Sequence, residues 1–508
     1  MFVQERQQRI LILFGILLLA VALRLIAIDG RGLWTDEVFS FDFARLSPIA
    51  IMTAAANDVH PPLYFLLLHF WMELFGDSEL SLRSLSVMFS VTSIYLVYRL
   101  GLVLFNKETA VIAALLLAVS KFSVAYAQEV RMYSVLLCSA LLSSYFLLAW
   151  LEQKKTKHLV AYAASTTLLL YTHVYALFIV CAQVAFVLSQ FLLSGKRDRR
   201  LARSWFLAMV AIGILYTPWG LVLLSQLHSV GGDRAYLISW IKEPTLLKLL
   251  GVIAGHTGGK WLLPIFMVLS AVGIISCFKR GSPGTGKSRL RLSEPDTLKG
   301  IYFLCLVIVF SVIVPFIISK IRSPVFMDRY TIGALFAFCL LAALGLTRIR
   351  PKYFKIGVVA LVVMMSLYAW HSNYYQKRRL EGAREAVAQL SQQLAPDDSV
   401  VLCASVGKIK EFMYYADKAR LTEKPSISIL DEGIVNQKRK EILKSGAYKV
   451  SAGWISNIEE LGKEYGRLWF VSVGDRCGAK AALLEREHAA AQVTEYGGKF
   501  VVSTYPAL

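Results

Sequence analysis

Residues 10–37 read ILILFGILLLAVALRLIAIDGRGLWTDE. The first part, residues 10–28, is an apolar run long enough to cross a bilayer as a helix, and it decides the class of the protein. It has no convincing small-residue cleavage site before Asp29, so it reads as a retained helix and not as a signal peptide. Trp34-Thr35-Asp36-Glu37 follows at once. Two adjacent carboxylates at a membrane edge are costly, and such groups usually mark a site.

The apolar pattern recurs along the chain. Of 508 residues, 56% are hydrophobic and only 18% charged, and the mean hydropathy is +0.54. A soluble globule would carry more charge and fewer runs of crossing length. The sequence predicts a polytopic α-helical membrane protein with about eleven spanning helices. They fall at residues 10–28, 83–105, 109–126, 133–151, 158–173, 175–194, 204–225, 261–278, 300–319, 330–346 and 354–371.

The net charge of +20 suggests nucleic acid only until the charges are located. Lys and Arg gather in short loops at 6–9, 99–107, 154–157, 196–203, 279–299 and 348–355, on alternate turns. This is the positive-inside pattern, with attraction to anionic membrane lipid, and it removes nucleic acid as a partner. It predicts an integral plasma (inner) membrane protein with a cytoplasmic N-terminus and an extracytoplasmic tail. Counting residues 61–76 as a further span would reverse every later basic loop. That segment therefore reads as a helix at the outer interface, where Tyr64, Trp71 and Phe75 suit an aromatic belt.

Two domains follow. Residues 1–371 form the membrane domain, with a long first outer loop at 29–82. Residues 372–508 alternate strand and helix signals and predict a small extracytoplasmic α/β domain. Its strands are expected at 399–403, 468–473 and 500–503, and its helices at 377–394, 435–443 and 455–464. Cys403 and Cys477 lie in this tail, where an oxidising compartment would allow them to pair; the sequence leaves the pairing open.

Four outer segments hold the polar residues: 29–82, 128–133, 172–175 and 320–330. Asp36 and Glu37 either cap a helix or supply a base for a hydroxyl. In Asn57-Asp58-Val59-His60-Pro61-Pro62, Asp58 is expected to cap a helix and His60 to bind phosphate or metal, although no strong metal-ligand spacing is present. The turn Gln128-Glu129-Val130-Arg131-Met132-Tyr133 lacks small turn residues, so it is an odd choice for a mere connector. Arg131 suits a phosphate, while Glu129 would hold Arg131 or touch a sugar. His173 stands at a helix end, where a structural role is the commoner one. Lys320, Arg322, Arg329 and Tyr330 ring the entry of the tenth span, where interface snorkelling explains some of them; Arg329, with Asp328 at the start of an apolar helix, suits a lipid phosphate. Gly281 to Ser288 (GSPGTGKS) matches a phosphate loop letter for letter, but a spanning helix precedes it where a buried strand is needed. ATP is therefore not an expected partner.

In this order, Asp36-Glu37, His60-Pro61-Pro62-Leu63-Tyr64, Phe75-Gly76 with Leu82-Arg83-Ser84, the 128–133 turn, Thr217-Pro218-Trp219 and Asp328-Arg329-Tyr330 resemble the GT-C membrane glycosyltransferases. Within that class they are most similar to the family 39-like group, which includes protein O-mannosyltransferases and the lipid A aminoarabinose transferase. The resemblance implies a polyprenyl-phosphate-linked sugar as donor and a glycan, lipid or protein as acceptor. Transfer would occur at the extracytoplasmic face with inversion. It makes Asp36 the base candidate, with Glu37 beside it, and Arg83 and Arg131 supports of the donor site. Some relatives bind a divalent metal; the matching ligands are not legible here. A transporter or flippase of lipid-linked sugars is the alternative, but it would favour paired repeats with polar residues near the midplane. A scaffold would leave the acidic pair without a task.

Overall fold

A computed structural model describes residues 2–193, 199–230, 241–279, 291–292, 295–378, 382–395, 397–421, 427–430, 453–455, 467–473, 477, 492–496 and 500–506. The phosphate-loop-like stretch 281–288 and the expected helix at 435–443 lie outside these residues, as does the expected helix at 455–464 except for Ile455, which ends a strand. The chain divides into two compact units. One comprises residues 1–26, 48–71 and 83–371; the other comprises 27–47, 72–82 and 372–508. The first outer loop is thus shared between them.

The helical unit corrects the expected count of eleven spans. Among the described residues, seven helices are long and apolar enough to cross a membrane. They are Gln7–Leu25, Glu79–Leu104, Tyr133–Gln153, Arg199–Gln226, Asp296–Ile321, Arg329–Arg348 and Lys352–Ser372. An eighth is Lys107–Val119 with Lys121–Ala127, a pair bent by 56°. The expected spans at 158–173, 175–194 and 261–278 are the helices Thr156–Leu170, Ala176–Leu193 and Leu263–Ile275, of 15, 18 and 13 residues. Each falls short of the ~20 residues that a straight crossing needs. Apolar composition made them look alike, but turn residues set their ends. The ambiguous segment at 61–76 is a helix of only 13 residues, Leu63–Phe75.

Two devices hold this unit together. The bend is made by Ser120, which is extended, ends one helix and caps the next by accepting from the Ser123 N–H (3.3 Å). Bending frees the last carbonyls of the first helix. Arg24, fully buried inside the first span, donates to two of them, Ala118 O (3.0 Å) and Leu117 O (3.4 Å), and to Ser90 and Ser123 Oγ (2.8 and 2.9 Å). The second device is a close helix crossing. A Cβ on Gly345 would stand 1.8 Å from the Leu269 carbonyl oxygen, so only glycine lets the two backbones touch.

The second unit is built on a six-stranded sheet. Its strands are β1 (Ser399–Cys403), β2 (Ile427–Leu430), β3 (Gly453–Ile455), β4 (Arg467–Val473), β5 (Gln492–Tyr496) and β6 (Phe500–Pro506). The order is β3-β2-β1-β4-β6-β5. β1 is parallel to β2 and β4, and β6 runs antiparallel to β4 and β5. The central β1 is buried throughout, which is why it reads as an unbroken apolar run and not as an alternation. Cys403 and Cys477 are disulfide-bonded beside Leu468 and Phe470 in the core. The domain is richer in β structure than expected. Of the helix expected at 377–394, Ala383–Gln393 is a helix, and the strand expected at 500–503 extends to Pro506.

The helix Val406–Lys418 is covered by Thr35–Ala44 from the first outer loop. The Phe41 ring meets the Tyr414 ring edge-on at 5.0 Å. Lys410 Nζ donates to Asp42 Oδ2 at 2.8 Å. Gly407 lies so close to Thr35 that a Cβ would stand 2.5 Å from its methyl group.

Candidate active site

In the helical unit, four polar segments that are distant in sequence meet. His60 Nδ1 lies 2.8 Å from Asp58 Oδ2, and Arg131 Nη2 lies 3.2 Å from His60 Nε2. A guanidinium only donates, so Nε2 is the acceptor and the imidazole proton sits on Nδ1, where it is donated to Asp58. Asp58 also accepts from the His60 N–H (3.2 Å). This corrects the expected cap, since the helix starts only at Leu63 and the carboxylate turns back to His60. Gln226 fixes the loop by donating to Asp58 O (2.5 Å) and Ala56 O (3.2 Å).

Arg131 and Arg329 converge on one ring: their guanidinium carbons lie 5.8 and 6.0 Å from the Tyr133 centroid. Arg329 is also 5.7 Å from the ring of Tyr330. The rings of His173 and Tyr330 are 4.8 Å apart, and those of His173 and His60 5.9 Å. Burial holds the His173 pKa well below the usual imidazole value, and the charges of His60, Arg131 and Arg329 push it the same way. Its Nδ1 accepts from the Tyr175 N–H (3.1 Å), as a neutral ring can. The Glu129–Arg131 turn is tight, with the Arg131 N–H donating to Glu129 O (2.8 Å). Ser86 donates to the carbonyls of both residues (2.7 and 3.3 Å). Arg83, one turn before Ser86, is fully buried, and Glu129 and Arg131 are buried too.

Asp36 and Glu37 belong to the other unit. Both lie in the first turn of Thr35–Ala44, where a carboxylate is favoured by the helix dipole. Glu37 is fully buried; it accepts from the Trp34 N–H (3.3 Å) and lies 4.0 Å from Arg31 Nη2. Asp36 is half-buried. Thr35 donates through its N–H and its hydroxyl to Glu411 Oε1 (2.7 and 2.5 Å), and Lys408 pairs with the same carboxylate. Helix Thr35–Ala44 is therefore held firmly against the C-terminal domain.

Sequence reasoning missed Gln226 and His256. His256 is buried, 2.7 Å from Thr331 Oγ1, and stacked on Phe338 at 5.0 Å. It also passed over Arg24, although a charge buried in the last turn of a spanning helix is a signal in itself. Among the described residues, no three His, Cys, Asp or Glu side chains are grouped as a metal would need. The described residues therefore do not fit a divalent metal.

Residues 59–221 match the family model described as dolichyl-phosphate-mannose-protein mannosyltransferase. That stretch contains His60, Arg83, Glu129, Arg131, Tyr133 and His173, but is less than half of the chain. No curated protein matches the sequence. Among solved structures, the chain is similar to ArnT from Cupriavidus metallidurans in the apo state, with a TM-score of 0.61, 13% identity, and 97% of each chain covered. It is equally similar to the same protein bound to undecaprenyl phosphate, with a TM-score of 0.60, 14% identity and 97% of each chain covered. The chain thus has a GT-C-like membrane fold with a small β-rich C-terminal domain, and the resemblance extends over nearly its whole length.

Proposed function

We propose that this protein is a glycosyltransferase that moves a sugar from a polyprenyl-phosphate donor to a glycan, lipid or protein acceptor at the extracytoplasmic membrane face. The observation that carries this reading is the convergence of Arg131 and Arg329 on Tyr133, 5.8 and 6.0 Å from its ring. Two guanidiniums at the ends of apolar helices suit a phosphate whose lipid tail remains in the bilayer. The similar fold of ArnT bound to undecaprenyl phosphate supports the same donor chemistry.

In this proposal, Arg131 and Arg329 hold the phosphate and stabilise the charge that develops as it leaves. His60 positions Arg131 and is itself held by Asp58. Tyr133, Tyr330 and His173 supply ring faces for the sugar, Glu129 contacts its hydroxyls, and Arg83 supports the 128–133 turn. Asp36 takes the proton of the acceptor hydroxyl while Glu37 keeps the start of its helix in shape. The acceptor oxygen bonds to the anomeric carbon as the bond from that carbon to the phosphate oxygen breaks. The electron pair leaves with the lipid phosphate, and a single displacement inverts the centre.

The test uses full-length protein in nanodiscs. Undecaprenyl phosphate should bind and undecaprenol should not, and a panel of undecaprenyl-phosphate sugars should yield one that is transferred. Equal binding of the two lipids by the wild type would overturn the donor assignment. Movement of the intact lipid-linked sugar across a vesicle membrane, without transfer, would turn the reading into a flippase.

A further inference from the structure

A groove with a basic rim lies among helices that take no part in the proposed catalysis. The helices Gln7–Leu25, Lys107–Val119 and Lys352–Ser372 are packed together at one end, where Leu19, Leu23, Val119, Leu367 and Trp370 form a cluster. At their other end they stand apart around a groove of about 560 Å³. Val111, Leu115, Val359 and Val363 line its walls, and Leu115 and Val363 also belong to the cluster that closes it. Arg9, Lys107 and Lys355 stand at its open end with one carboxylate, Glu108. Lys355 Nζ lies 2.7 Å from Glu108 Oε1, and Arg9 and Lys107 line the groove with this ion pair. Lys107 opens its helix, where the dipole adds positive potential.

We propose that this groove holds an anionic glycerophospholipid, with its phosphate among Arg9, Lys107 and Lys355 and the first part of an acyl chain against the valine and leucine walls. Charge selects the headgroup: among the described lining residues the basic groups outnumber the acidic ones, which favours a net-negative lipid over a zwitterion. Length selects the tail. From Lys355 to Val363 the wall rises about 12 Å, enough for the upper part of an acyl chain before the cluster closes the path. The basic end is the one that the charge rule assigns to the cytoplasm, where anionic lipid is enriched.

Full-length protein in phosphatidylcholine nanodiscs containing a minority of phosphatidylglycerol should retain phosphatidylglycerol preferentially when released for native mass spectrometry. Lys107→Gln with Lys355→Gln should cut that preference by at least about tenfold. Val359→Trp, which keeps every charge and fills the groove, should cut it as well, so the proposal does not depend on the charge variant folding. Lys299→Gln, a basic residue outside this groove, should leave it unchanged. Equal retention of the two lipids by the wild type, or a preference that survives either groove variant, would overturn the proposal. So would displacement of phosphatidylglycerol by added undecaprenyl phosphate, which would give the groove to a polyprenyl lipid.

Discussion

Arg131 joins the two halves of the helical-unit cluster, since it donates to His60 and faces the ring of Tyr133. Arg131→Ala should weaken undecaprenyl phosphate binding and transfer by roughly 10- to 100-fold, the worth of a hydrogen bond to a charged group. Arg131→Lys should lie between, because it keeps the charge but loses the fork. Binding measured in nanodiscs checks both, and an alanine variant that binds like the wild type would remove Arg131 from the donor site. For the acidic pair, Asp36→Asn should lower turnover by about 10²- to 10⁴-fold with donor binding retained. Glu37→Gln should act mainly on thermal stability, because Glu37 is buried against Trp34 N–H and Arg31. A dead Glu37→Gln beside an active Asp36→Asn would exchange their roles. Residue types were legible at this scale: a forked cation in a turn without small residues, and paired acids after an apolar run. Partners were not. Nothing in the sequence says that Gln226, 168 residues from Asp58, donates to its carbonyl, because that contact exists only once helices pack.

Helices and their crossings show why propensity misleads in a membrane chain. Composition alone joined 109–126 into one span; Ser120 and Arg24 bend it, and a polar residue that caps in mid-run leaves almost no trace in an apolar average. Glycines were equally silent, since Gly345 counts as one more small apolar residue until its contact with Leu269 is seen. Gly345→Ala should cost about 1–3 kcal/mol or more through forced separation of the helices, read as a lowered melting temperature in detergent. In the other unit, Lys410 and Asp42 are a buried pair, with side chains 7% and 19% exposed. Burial lowers the Lys410 pKa and raises that of Asp42, so desolvation outweighs their attraction in both. Lys410→Met alone leaves Asp42 buried without its cation and should destabilise by about 3–5 kcal/mol. Lys410→Met with Asp42→Leu should recover most of that loss. Thermal unfolding of the wild type, both single variants (Lys410→Met and Asp42→Leu) and the double variant gives the coupling, and additive losses would show that the pair contributes nothing specific.

Across the whole molecule, a helical part followed by a smaller part with strands was legible, because hydropathy changes sharply near residue 372. The side of the membrane on which each part lies depends on a different signal. Seven straight spans would put the two ends of the helical chain on opposite sides; an eighth, bent one would return them to the same side. The parity of long helices therefore does not fix the topology, and the shorter apolar helices decide it through how deeply they enter the bilayer. Charge gives an independent answer. Short basic loops at 6–9, 154–157 and 348–355 all belong inside by the positive-inside rule. The disulfide between Cys403 and Cys477 agrees with an oxidising compartment for the tail. We therefore expect the N-terminus and the basic segment 199–203 in the cytoplasm and residue 400 outside it. A membrane-impermeant thiol reagent should label a cysteine placed at residue 397 in intact cells and leave one placed at residue 200 unlabelled until the cells are opened. Labelling of both from the same side would overturn this topology, and with it the proposal that transfer takes place at the extracytoplasmic face.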